Sequence, residues 1–217
     1  MTNFKPIAQS SSSPKPVRRV KVHAELVAPL VDISDGDTLK IQTSSQIESW
    51  VKSLAPWNDF RPSGANRHVR FFGIDIVEKD QPFGLDAKDH LANMLDRESS
   101  VTLTLWDIDQ YGRLVCEVYP ASFEVTPQYN LNRMMLREGY GVAYRKWLRK
   151  AGGRLLEDYV EDENFARRHD VNFWSQSEQD RILPMVWRRN RRHFEKKLRS
   201  QGREPRNPVA NPALQRP

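Results

Sequence analysis

Apolar and polar positions change period several times along this chain. Residues 20–35 and 38–43 read as strands joined by a turn at Asp35-Gly36. Residues 44–67 show no clean period and carry Pro56, Pro62 and Gly64, which predicts a long loop with one short helix over 47–54. Residues 69–74 form an apolar strand, and 84–95 place Leu85, His90-Leu91 and Met94-Leu95 at helical spacing. Residues 101–106 and 113–119 pair as a hairpin around Asp109-Gln110-Tyr111-Gly112. A short helix over 131–138 is capped by Gly139, a longer one ends at Arg168, and 171–174 reads as extended. Strands, helix, strands and two more helices, without an internal repeat, predict an α+β fold: a small β-barrel or curled sheet with helices packed on it.

Composition narrows the class. The chain has 217 residues, enough for one domain with extensions, and its mean hydropathy is −0.71. A single cysteine, Cys116, excludes a disulfide framework and a cysteine-rich zinc site, and its apolar neighbours predict a buried strand position. No window reaches the ~18 apolar residues of a membrane span. Residues 1–19 are polar and lack the apolar run of a signal peptide, so the expectation is a flexible leader on a cytoplasmic chain.

Charge is uneven. The whole chain is +6, yet residues 175–217 alone carry 11 Lys or Arg against 4 Asp or Glu, which leaves the rest close to neutral. Basicity peaks at Trp187-Arg188-Arg189-Asn190-Arg191-Arg192, where an aromatic ring beside arginines suits contact with phosphates and bases. The expected organisation is a leader over 1–19, a domain over 20–174 with an insertion at 44–68, and a basic extension over 175–217. That extension is helical at first and disordered from about Glu204 onward.

Three separated segments carry charged groups at strand edges. Asp35 and Asp37, two apart, present both carboxylates to one face of an extended segment. Asp75 closes the 69–74 strand, and two convergent carboxylates suit Ca²⁺ or Mg²⁺ better than zinc. Glu78, three residues on, is placed to activate a water beside such a cation. Arg70 sits in an otherwise apolar strand, where a charge is costly unless it is paired or faces a cleft. Arg113 opens a strand out of the Tyr111-Gly112 turn. Two guanidiniums beside a cation are the groups that would steady charge on a phosphate.

In these segments the chain resembles the staphylococcal nuclease, or thermonuclease, family. The shared features are Asp35-Gly36-Asp37-Thr38, the block Arg70 to Glu78, Tyr111-Gly112-Arg113 with its apolar strand, Asn132 to Gly139, and the closing helix with Asn172-Phe173-Trp174. They keep one order across residues 20–174. The resemblance implies a five-stranded OB-fold-like barrel with about three helices. It also implies calcium-dependent hydrolysis of DNA and RNA, with water attacking phosphorus and the 5′ oxygen leaving. Carried over, Asp37 and Asp75 would bind Ca²⁺ (Mg²⁺ being the alternative) with the Ile76 carbonyl, and Asp35 would stand behind them. Glu78 would handle the water, and Arg70 and Arg113 the phosphate. Tyr111, Trp187, Arg188, Arg189, Arg191 and Arg192 are expected to touch nucleic acid, and the protein is expected to be a monomer.

Two departures stand out. Ile76-Val77 replaces the family's Thr-Pro, which loosens the expected aim of Glu78, and 44–68 is longer than the usual turn. The insertion, with Trp50, Trp57, Phe60 and Arg61, would serve as a flap over the groove, a partner surface or a plain surface insertion. The rival to a nuclease is a non-catalytic barrel that binds nucleic acid or protein, and the retention of all five charged side chains argues against it. A purely structural calcium site has no use for two nearby arginines.

Overall fold

A computed structural model describes residues 24–54 and 65–200 of the protein. The expected leader over 1–19, the tail beyond 200, and Trp57, Phe60 and Arg61 of the insertion lie outside the described residues. Five strands close a barrel: β1 (Ala24–Asp35), β2 (Thr38–Gln42), β3 (Asn66–Phe71), β5 (Ser100–Ile108) and β6 (Leu114–Pro120), in the order β1-β2-β3-β6-β5. Every pairing is antiparallel except β3 with β6. β2 and β3 alternate buried and half-exposed residues, as strands with one face on a core must. β6 is buried at all seven positions, because α3 (Leu131–Arg137) covers its outer face. The predicted five-stranded barrel is present.

Six α-helices stand among the described residues, more than the expected three. α2 (Gly84–Met94) packs on β1, and α5 (Leu155–Arg168) packs on α3. α1 (Ser45–Leu54) lies where a short helix over 47–54 was predicted, and the long basic α6 (Pro184–Ser200) lies in the extension read as helical at first, whereas α4 (Arg145–Ala151) was not predicted. The segment Asn172–Ser175, expected to be extended, is a turn of 3-10 helix. Gly139 takes φ +72° and caps α3 as predicted.

Two departures from the sequence reading bear on the site. The apolar strand expected over 69–74 is two strands: β3 ends at Phe71, and β4 (Ile74–Ile76) leaves the barrel to pair with β7 (Gly141–Ala143). Asn132 holds that break in place. Its amide donates to the carbonyls of Phe72 (2.9 Å) and Cys116 (3.0 Å), and its oxygen accepts from the Val118 N–H (3.0 Å). The insertion is also no flap, so far as it is described. Ile47 and Val51 of α1 are buried in the core, Glu48 grips buried Arg67 of β3 through two hydrogen bonds, and none of residues 44–54 or 65–68 lines the groove described next.

Candidate active site

Asp35, Asp37, Arg70, Asp75, Glu78, Tyr111 and Arg113 all line one open groove of about 850 Å³. The β1–β2 connection supplies the first two, though not by strand alternation as predicted. Residues 36 and 37 form a tight turn, so Asp35 ends one strand and Asp37 precedes the next. Burial, and then the neighbouring Asp37 charge, push the Asp35 carboxyl up to about 6.

Asp37 and Asp75 are each only 3% exposed. β2 pairs with β3 so that Thr38 faces Arg70, which places the Arg70 guanidinium between the two acids. It pairs with Asp37 Oδ1 and, at 3.0 Å, with Asp75 Oδ1. The Ile76 N–H donates to Asp37 Oδ2 at 3.1 Å. On the other edge of β4, the Val77 N–H donates to Tyr140 and the Tyr144 N–H to Gly73. Odd-numbered residues therefore face β7, and Ile76 turns its N–H and C=O toward Asp37. Two buried carboxylates and a backbone carbonyl are an all-oxygen donor set that suits a hard cation whose remaining ligands are waters. Among the described residues no group of three or more His, Cys, Asp or Glu is placed to hold a metal ion, so a cation here would rest on the two carboxylates, the carbonyl and waters.

Glu78 follows β4 in a loop that sequence reading expected to be loose. It is instead tied down by groups the sequence reading passed over. Gln81, 2% exposed, accepts the Glu78 N–H at 3.2 Å through its side chain and returns its own N–H to the Glu78 carbonyl at 2.8 Å. Gly84 lies so close that a Cβ there would sit 1.9 Å from the Glu78 carbonyl oxygen. Gly84→Ala therefore forces the loop to move while α2 keeps its apolar contacts. Because displacements of about 1 Å at a reacting group cost ~10²-fold in rate, turnover should fall by that order with circular dichroism unchanged. Gly141 is equally constrained beside Asp75, whose carbonyl would lie 2.4 Å from an added Cβ.

Arg113 stands at the far side of the groove, after the β5–β6 turn. Asp109 holds its Nε at 2.6 Å, and the guanidinium lies 5.6 Å from the exposed Tyr111 ring. The fork is thus preset at the groove wall, with the side chain about one-third exposed.

The tail departs most from expectation. Trp187 is fully buried, stacked on Phe194 with ring centroids 5.6 Å apart, and its indole N–H reaches Asp80 at 3.3 Å. It cannot stack on a base. Arg188 binds both oxygens of Asp75 at 2.9 Å and Oε1 of Glu78 at 2.5 Å. Burial works against its charge, but the hydrogen bonds and charges of Asp75 and Glu78 outweigh burial and hold it more firmly protonated. Arg191 binds the other oxygen of Glu78 at 3.0 Å and reaches Asp80 at 2.7 Å. Arg189 and Arg192 are exposed, while Arg188 and Arg191 keep 40% and 43% exposure although paired with these acids.

Residues 68–176 match the family model described as staphylococcal nuclease homologue. The chain is 32% identical to "Endonuclease Htp3" of Saprolegnia parasitica over 67% of its own length and 68% of that protein's. It is 29% identical to "Micrococcal nuclease" of Shigella flexneri, covering 78% of this chain and 84% of that one. It is also 33% identical to "Protein ParB" of Escherichia coli, over 76% and 81% of the two lengths.

Proposed function

We propose that this chain, which belongs to the staphylococcal nuclease homologue family, cuts nucleic acid in the groove between β2, β4 and the β5–β6 turn, with calcium as its cation. It is a nuclease that hydrolyses phosphodiester bonds, and its family makes that activity dependent on a divalent metal. Among the described residues no helix is long and apolar enough to cross a membrane.

The observation that carries the assignment of roles is the burial of Asp37 and Asp75 side by side, with Glu78 and Arg113 in the same groove. Asp37, Asp75 and the Ile76 carbonyl would hold the cation. When bound, the cation would draw charge from a phosphate oxygen and lower the pKa of a neighbouring water. Glu78, held in place by Gln81, accepts a proton from the attacking water. Arg70, released from the two carboxylates, turns its fork to a non-bridging oxygen, and Arg113 meets the charge that grows as the 5′ oxygen leaves. Calcium is preferred over magnesium because two carboxylates and a carbonyl form an irregular set, and calcium tolerates irregular coordination better.

Cleavage of DNA in water enriched in heavy oxygen tests this chemistry. Direct attack of water leaves one heavy oxygen on a 3′ phosphate, opposite an unlabelled 5′ hydroxyl. Label on a 5′ phosphate would show that the other ester bond breaks and that the roles given to Glu78 and Arg113 are wrong.

A further inference from the structure

We propose that α6 is a strap that closes the active site in cis, with Arg188 and Arg191 standing where a divalent cation and the attacking water must act. The proposal rests on the reading of Asp75 as a cation ligand.

All four carboxylate oxygens of Asp75 and Glu78 are taken by α6. Arg188 spans both oxygens of Asp75 and one of Glu78, and Arg191 holds the other oxygen of Glu78. Arg188 puts a positive charge across both oxygens of Asp75, so a cation that takes this carboxylate must displace the guanidinium or bind against its repulsion, and each weakens the binding of the other. Arg188 and Met185 also line the groove itself, which narrows the route a phosphate would take.

The strap has a seat besides its ion pairs with the acids. Trp187 and Leu198 are buried, Phe194 stacks on the tryptophan, and Asp80 takes the indole N–H. The Gln81 side chain, whose oxygen holds the Glu78 N–H, uses its amide to grip the Ile182 carbonyl just before α6. The element is therefore docked through an apolar anchor, and neutralisation of stray charge is not all that holds it. Its ion pairs remain exchangeable, because Arg188 and Arg191 stay 40% and 43% exposed. The helix also begins beyond residue 176, where the family match ends, so the acids and their cover come from separate parts of the chain.

Two consequences follow from linkage. The apparent affinity for a cation falls by the fraction of molecules whose strap is open, and cation binding must loosen the strap to the same degree. The nuclease is then held closed at low calcium and opens as calcium rises.

Calorimetric titration of the full chain with calcium alone decides the matter, since it reads binding without turnover. Two variants remove the strap in different ways: Arg188→Gln with Arg191→Gln strips the competing charges, and Trp187→Ala removes the anchor while leaving the arginines. Each should bind calcium about tenfold more tightly, or better, than the unaltered chain, because the open fraction approaches one. If either variant keeps native circular dichroism and binds calcium no more tightly, the strap is refuted. Asp75→Asn serves as a separate control and should abolish binding. Undiminished binding in that variant would overturn the ligand assignment itself, which is a different result from unchanged affinity in the strap variants.

Discussion

Glu78→Gln should lower turnover by about 10²–10⁴-fold while nucleic-acid binding stays near normal. That corresponds to about 3–5 kcal/mol of barrier. The substitution keeps the size and the hydrogen-bonding reach of the side chain but removes its ability to take a proton. It also weakens the grip of Arg188 and Arg191, each of which loses one charged partner while Arg188 keeps Asp75 and Arg191 keeps Asp80. The two roles of Glu78 therefore predict opposite signs. If it only seated α6, Gln would free the groove and activity would rise. If it handles the water, activity falls although the groove is freer. Single-turnover cleavage in calcium, beside a binding isotherm, separates these outcomes, and near-normal turnover would show that the proton goes elsewhere.

Arg113→Ala should cost about 10²–10³ in turnover, the usual penalty for losing one preorganised donor to a developing anion. The side chain is held by Asp109 and is about one-third exposed, and Asp109 keeps the backbone N–H groups of Tyr111 and Arg113 when the guanidinium is lost, so little stability is at stake. Arg113→Lys is the sharper comparison. Lysine keeps the charge but lacks the planar fork, so it should restore only part of the rate. The loss should fall on turnover and leave the substrate dissociation constant nearly unchanged, as expected for a contact made in the transition state. Equal effects on binding and turnover would make Arg113 a general phosphate contact instead.

The barrel and the groove acids were legible in the chain because their signals are local. Alternation in 38–43 and the short motifs at Asp35, Arg70 and Tyr111 depend on neighbours a few residues away. The break between β3 and β4 was hidden because Val69 to Ile76 is almost continuously apolar. Only Gly73, at φ +74°, marks the bend, and a glycine in a strand has several meanings. α4 escaped notice because it is short and basic, with Leu148 and Ala151 its only buried residues.

The tail shows the limit most clearly. Its composition announced a basic helix with aromatic residues, which fits a nucleic-acid clamp and a self-docking strap equally well. The partners of Arg188 and Arg191 lie more than 100 residues away, at Asp75 and Glu78, and no local pattern encodes that pairing. The loop that aims Glu78 was misjudged for a similar reason. A missing proline was visible in sequence, whereas its replacement by Gln81 and Gly84 is a matter of contact distances.

The proposed function puts phosphodiester cleavage, a divalent cation and Glu78 in one groove. The most direct test is cleavage of single-stranded DNA, duplex DNA and RNA by the full chain in calcium, in magnesium and in chelator, with Glu78→Gln run alongside. Cutting in calcium that is lost in chelator and falls at least about 10²-fold in the variant is the predicted result. Cutting that persists in chelator, or that the variant performs as well as the unaltered chain, would contradict it.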